Sequence, residues 1–230
     1  MNIDLKAPKG WDELSCEDFL RVMEVGTMQL TREERLLVLL CHFTGIRRRN
    51  GNRYVTADGR PFTMQPWQLA DFCDRLAWML DGKPDRVPNP TKRDEWIRDM
   101  SFGDWFETDT QLRLLVADRD PSHWSVIGPK LGIDGTPSEA VEAMVMLWWN
   151  QVSDALAQTY PNVFPDNEGD EKRVYDPFKA IQNMHLLLND DRPQDNKAID
   201  DANVHDVLSA LDSRIEKIRR ENAAMRRIKP

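Results

Sequence analysis

The chain has 230 residues, 40% of them apolar and 30% charged, enough for one substantial core or two smaller ones. Thirty-nine acids against thirty-one bases leave a net charge of −8, which excludes a general phosphate-backbone binder and confines any basic surface to a local patch. The longest apolar run, Ala143 to Trp149, falls far short of the roughly 20 residues of a membrane-spanning helix, and the opening MNIDLKAPKG lacks the cationic-then-apolar order of a secretory leader, so the chain is expected to stay where it is made.

Ser15 with Asp18 reads as a helix start, Leu14 and Phe19 occupy the two positions of a hydrophobic staple, and a helix over about 16–25 is expected to turn Phe19, Leu20 and Met23 inward. Thr31 with Glu34 repeats the capping pattern, and Leu36, Leu37, Leu39, Leu40 and Phe43 make a second helix that Thr44-Gly45 ends. Between about 46 and 64 the chemistry changes. Asn50-Gly51 and Asp58-Gly59 accept the positive backbone angles of tight turns around Tyr54-Val55-Thr56, which predicts one or two short β-hairpins. The triplet Arg47, Arg48 and Arg49 is a weak candidate for nucleic-acid contact, ranked behind a solvated edge that blunts strand pairing.

Pro66 opens a third helix with Trp67, Leu69, Phe72, Leu76, Met79 and Leu80 at helical spacing up to Gly82. Pro84, Pro88 and Pro90 enforce an extended connector. Ser101 and Asp104 then begin a helix bearing Trp105, Phe106, Leu112, Leu115 and Val116, which stops before Pro121. Thr136-Pro137-Ser138-Glu139 sets cap, first-turn proline and acid in order, and the helix it starts runs to Tyr160 as a central strut. The acidic 166–171 stretch lacks the spaced ligands of a calcium loop and reads as surface. Asp176-Pro177 starts a helix that the 189–193 stretch breaks. From about Asp200 onward Val204, Leu208, Leu211, Ile215 and Ile218 follow alternating steps of four and three, and Met225 follows seven on with Asn222 in the seat between, a short heptad seam.

The expected fold is therefore mainly α: a multi-helix globular domain over 1–198 with the hairpins at about 46–64, and a long amphipathic, basic C-terminal helix over 199–230. Cys16, Cys41 and Cys73 lack the paired spacings of a zinc site and read as small buried or half-buried hydrophobes, and the four scattered histidines receive no ligand role. No phosphate loop, dinucleotide fingerprint, nucleophile elbow or His-Glu-x-x-His helix is present, so no catalytic residue, metal or cofactor is expected. Acid pairs such as Asp118/Asp120 and Asp190/Asp191 carry no specificity. Of the eight tryptophans, Trp78, Trp105 and Trp148 are expected in the core, and Trp11, Trp124 and Trp149 at a contact with another chain.

Residues 214–230 hold seven bases and two acids, a net of +5, which leaves −13 on the rest of the chain. Such a basic helix can fold back on its own body, lie on an acidic neighbour, or touch nucleic acid; the absence of aromatics in it disfavours base stacking. The candidate partner-binding set is the seam Val204, Leu208, Leu211, Ile215, Ile218 and Met225 with Arg219, Arg220, Arg226 and Arg227.

Trp11-Asp12-Glu13-Leu14-Ser15 running into two helices, Met100-Ser101-Phe102-Gly103-Asp104, Tyr160-Pro161-Asn162-Val163-Phe164, Asn183-Met184 and the late Leu208-Ser209-Ala210-Leu211-Asp212 touch most of the chain. Together they resemble uncharacterised structural and tail-assembly proteins of tailed phages and prophages of gut Bacteroidetes. The hairpin region and the acidic 166–171 loop stand outside that pattern. The resemblance implies a non-enzymatic role in virion morphogenesis, as a tail or neck component or a tail-assembly chaperone, in the host cytoplasm during assembly or in the virion. Other tail or neck proteins and further copies of the chain are the expected partners, with no membrane and with nucleic acid disfavoured. The rival reading is a small DNA-contacting regulator or packaging accessory that uses Arg47 to Arg49 and the C-terminal bases.

Overall fold

The helix starts stand where the caps put them. In the computed structural model, which describes residues 8–165, 176–189 and 192–228 (of 227 and 228 the backbone), Ser15 lies extended and accepts the Asp18 N–H at 3.1 Å, opening α1 (Cys16–Thr27). Phe19, Val22 and Val25 are its buried side chains. This corrects the expected inner face: Leu20 and Met23 flank the stripe half-buried, because spacings of three select the valines. Thr31 and Glu34 close a full capping box on α2 (Arg32–Thr44), with Thr31 Oγ1 accepting the Glu34 N–H at 3.2 Å and Glu34 Oε2 accepting the Thr31 N–H at 2.9 Å. Gly45, at φ +66°, ends α2 in the left-handed conformation that glycine adopts without a Cβ penalty.

Two short hairpins are present where one or two were expected, as one antiparallel sheet ordered β1 (Arg47–Arg48), β2 (Arg53–Val55), β3 (Pro61–Thr63). Gly51 and Gly59 take the positive φ values, +53° and +87°, at the two turns. Tyr54 is buried from the middle strand and stacks on Phe62 across the pair. The helix expected over 66–82 divides into α3 (Pro66–Leu76) and α4 (Trp78–Asp81), because the Ala77 N–H bonds the Asp74 carbonyl three residues back and tightens the turn.

The chain forms two compact units. One comprises the residues up to Pro90 with Glu139–Trp148; the other comprises Thr91–Ser138 with the residues from Trp149 onward. In the first, α2 packs on α1 and α3, and Phe19, Val25, Leu39, Leu40 and Leu76 are fully buried. Trp11 packs edge-on against Trp78 at 5.0 Å and against Phe19.

The second unit is built around α5 (Phe102–Asp118), capped by Ser101, whose Oγ accepts the Asp104 N–H at 3.2 Å, and stopped at Arg119, which turns left-handed at φ +61°. Val116, near its end, is exposed. Helix α6 (Trp124–Leu131) follows, which the sequence reading did not separate; Trp124, Ile127 and Leu131 are its buried face, and Pro129 lies inside it. Next, α7 (Glu139–Thr159) begins two residues past Pro137, later than the Thr136 cap predicted. Its residues 139–148 belong to the first unit and the remainder to the second. Helices α8 (Pro177–Asn189), α9 (Asn196–Asp201) and α10 (Val204–Ile228) complete the fold.

Helix α5 packs on α6, α9 and α10, and α10 packs also on α8. A Cβ on Gly103 would meet Asp200 at 3.1 Å, so only glycine lets the start of α5 approach α9 this closely. Just before α10 the chain pairs with the entry to α5: Phe102 N–H donates to Ala202 O at 2.8 Å and Val204 N–H to Met100 O at 3.1 Å. The acidic 166–171 loop and Asp190/Asp191 lie outside the described residues. Among the described residues no helix is long and apolar enough to cross a membrane.

Candidate functional site

The heptad seam divides into a rooted half and a free half. Val204, Leu208 and Leu211 are fully buried in the second unit with Val207, so their apolar surface is consumed by the chain's own core. Ile215 is half-buried, whereas Ile218 is 37% and Met225 59% exposed, and the side chains from Lys217 to Arg226 are all exposed. The arginines divide likewise. Arg219 donates to Asn162 Oδ1 at 2.7 Å, a contact with its own body that Asp212 shares by accepting the Asn162 N–H at 2.7 Å. Arg220 pairs with Glu216 one turn back. Arg226 has no ion-pair partner among the described residues, and the Arg227 side chain lies outside them. The exposed outer half of α10 thus carries two uncovered apolar groups and cations, continuing without a new nucleation step from turns fixed in the core.

Burial reassigns the tryptophans. Trp11, Trp124 and Trp149, expected at a partner contact, are all buried. Trp149 Nε1–H donates to the buried Asp109 carboxylate at 3.1 Å, which Arg113 also holds at 2.7 Å. Trp105 and Trp148 are in the core as expected, and Trp78 is half-buried. The exposed tryptophans are Trp67, at 70%, and Trp96, at 37%. Their spacing could not reveal this, because each lies in an apolar pattern shared with buried neighbours.

Trp96 borders a cavity of about 210 Å³ in the second unit, lined also by Val152, Ala155, Leu156, Thr159 and His205. His205 Nε2 faces the Trp96 carbonyl oxygen at 2.9 Å and Nδ1 faces the Tyr160 hydroxyl at 3.0 Å. With Nε2–H donating to the carbonyl, Nδ1 accepts from Tyr160. Burial first, then the charges of Asp206 and Asp212, push the Tyr160 phenol above its ordinary pKa and keep it the donor. Both ring nitrogens are therefore engaged, and the cavity offers an incoming group an apolar wall. A wider groove of about 420 Å³ lies among α8, α9 and α10, with Leu188, Ile199 and Val207 in its lining beside Arg192, Asp195 and Asp206.

The other histidines each bind an aspartate from another part of the chain: His42 with Asp18 at 2.8 Å, His123 with Asp118 at 3.0 Å, His185 with Asp200 at 2.8 Å. Sequence reasoning gave them no role, and separations of 24, 5 and 15 residues carry no signal. Ser15 completes a trio with Asp18 and His42, but the carboxylate stands in the middle: Ser15 Oγ–H donates to Oδ2 at 2.6 Å while His42 meets Oδ1. A nucleophile relay needs the imidazole between hydroxyl and carboxylate, so this trio fastens α1 to α2 and does not activate Ser15. Burial alone would raise the Asp18 pKa; the Ser15 hydroxyl and the His42 ring outweigh it and hold the carboxyl below its ordinary value.

Cys16 departs from expectation by being exposed at the first position of α1, where its thiol donates to the Asn89 carbonyl at 3.2 Å. Cys41 and Cys73 are half-buried, and burial pushes both thiols up. Among the described residues no three His, Cys, Asp or Glu side chains converge as a metal site would require. Arg47 and Arg48 form the exposed edge strand β1, with Arg49 directly after it. Comparison with protein-family models, with curated proteins and with solved structures finds no match to this chain.

Proposed function

We propose that the protein works by non-covalent assembly, as a non-enzymatic phage morphogenesis protein, either a tail or neck component or a tail-assembly chaperone. The phage setting rests on the sequence resemblance. The mode of action rests on one observation: α10 is rooted by Val204, Leu208 and Leu211 and then extends an exposed outer half bearing Ile218, Met225 and Arg226. Its occupant is an acidic helical surface on a second copy or on a neighbouring structural protein, since the residues before 214 carry −13 against the +5 of the end segment. Apolar contact by Ile218 and Met225 supplies the buried centre, and the surrounding cations supply the rim and the rate of encounter. A basic patch docking on an acidic one is a head-to-tail contact, which closes into rings when the rotation between neighbours permits.

Two measurements test this. Sedimentation at low and high salt is expected to show association that weakens with salt and disappears in Ile218→Ser/Met225→Ser. Mass spectrometry of purified particles and of tail-protein pull-downs is expected to find the chain in at least one. A strictly monomeric protein absent from both overturns the proposal.

A further inference from the structure

We infer that the cavity beside Trp96 is a binding pocket for a small neutral apolar molecule of one or two rings. Helix α7 supplies one wall: Val152, Ala155, Leu156 and Thr159 recur at spacings of three and four, a single face of the helix. Ala155 is the small apolar residue of that stripe, and the methyls it lacks leave space that a larger side chain would fill. Val152 and Leu156 are buried whereas Trp96 and Thr159 are exposed, so the pocket runs from the surface down to the core. Trp96 and His205 complete the lining, on a turn that is fixed in advance. Ile97 stands at φ +52°, and the start of α10 grips the chain on both sides of it, His205 Nε2–H at the Trp96 carbonyl (2.9 Å) and Asn203 Nδ2–H at the Arg98 carbonyl (2.6 Å). Backbone strain of this kind in a β-branched residue collects at ligand clamps, and a wall already rigid need not be ordered by the ligand.

The lining sets the chemistry of the ligand. Both nitrogens of His205 are engaged within the chain, and Thr159 Oγ–H donates to the Ala155 carbonyl at 2.7 Å, so neither side chain has a hydrogen to offer. No carboxylate, ammonium or guanidinium lines the pocket, and a charged ligand would lose its water shell there without gaining a counter-charge. An anion is also repelled by Asp206 and Asp212, whose charges reach the Tyr160 phenol that bonds His205. Water finds few partners on such walls and is displaced by an apolar group at a gain in affinity. Size does the rest. The cavity of about 210 Å³ exceeds the roughly 150 Å³ of an apolar cavity that accepts benzene and falls below the roughly 300 Å³ at which pockets for drug-sized ligands begin. No pocket residue lies beyond His205 in α10, so binding here is independent of docking by the outer half of that helix.

The ring current of a bound aromatic shifts nearby methyl resonances, so NMR of the full-length, methyl-labelled protein titrated with benzene and with indole tests the inference. Saturable shifts are expected at the methyls of Val152, Ala155 and Leu156. Indole-3-acetate and tryptamine carry the same ring with a negative or a positive charge, and each is expected to bind at least about tenfold more weakly than indole. Ala155→Leu sets a branched side chain in the cavity and is expected to abolish the shifts while circular dichroism stays native. Val152→Ala removes two methyls from the buried end and is expected to raise affinity for indole relative to benzene by about tenfold; this variant decides the matter if Ala155→Leu does not fold. The inference is overturned by the absence of saturable shifts at these methyls, or by affinity indifferent to charge. Binding unchanged in folded Ala155→Leu, or a benzene-to-indole ratio unchanged in Val152→Ala, overturns it equally.

Discussion

At Ile97 a β-branched residue stands at φ +52° with its side chain wholly buried. The left-handed region costs such a residue about 1–2 kcal/mol, and it persists only where neighbours over-determine it. They do so here. Asp94 accepts the N–H groups of Trp96 and Arg98 and two guanidinium bonds from Arg98, while Asn203 Nδ2 donates to the Arg98 carbonyl at 2.6 Å. Elsewhere glycine is less stable than alanine by roughly 0.5–1 kcal/mol. At this position Ile97→Ala loses about 2–5 kcal/mol of packing and keeps the strain, whereas Ile97→Gly loses the packing and sheds the strain. Denaturant unfolding is therefore expected to rank wild type above Ile97→Gly, and Ile97→Gly above Ile97→Ala by about 1 kcal/mol. The Arg98 guanidinium, helped by the two backbone N–H groups, holds the Asp94 carboxyl at about 2 against an ordinary 3.8. The folded value is the lower one, so the contribution is complete above about pH 4 and is lost as pH falls through about 2. The stability gap between wild type and Asp94→Asn is expected to close over that window. An Asp four residues before an Arg was visible in the sequence; an isoleucine forced to positive φ was not, because tertiary contacts fix it.

Among elements, α10 separates what periodicity reads from what it does not. The heptad placed an amphipathic helix correctly, yet its register continues from Val204 to Met225, with Asn222 in one seat, across a boundary where burial falls from complete to partial. A repeat specifies a face, and which stretch of it finds a partner depends on the length of the helices packed against it. Leu208→Ala and Leu211→Ala are accordingly expected to cost about 2–5 kcal/mol each in denaturant unfolding, and Ile218→Ala and Met225→Ala less than about 0.5. Equal losses at the two ends would mean that the outer half is also core. The sheet repeats the lesson. The arginine triplet was visible as a run, but the facing pair is Arg49 with Arg53, which strand alternation sets and adjacency in sequence conceals. Caps were the most legible signals, because Ser15, Thr31 and Ser101 act on backbone amides three residues away and need nothing distant. Helix α6 escaped notice because Pro129 and Gly128 interrupt a short apolar pattern whose buried face only its neighbours complete.

For the whole molecule, charge and packing partition the chain differently. Charge divides it near residue 214, with +5 beyond and −13 before, while packing joins Glu139–Trp148 to the residues up to Pro90 and the remainder to α5 and its neighbours. Composition reports the first division directly. The second joins segments some fifty residues apart and exists only in the contacts. The two divisions make separable demands on α10. Its core contacts at Val204, Val207, Leu208 and Leu211 all precede Ser213, and beyond it the hydrogen bond from Arg219 to Asn162 ties the helix to the body. A chain ending at Ser213 therefore keeps those four side chains and loses the half-buried Ile215 with the Arg219 hydrogen bond, roughly 2 kcal/mol together, a drop of about 4–8 °C in melting temperature for a protein of this size. It also loses every base of the end segment together with Ile218 and Met225. Such a chain is expected to fold, with near-native circular dichroism, and to show no salt-sensitive association in sedimentation. Collapse of the fold on truncation would show that the outer half of α10 is needed for the fold itself, and association that persists would place the docking surface elsewhere.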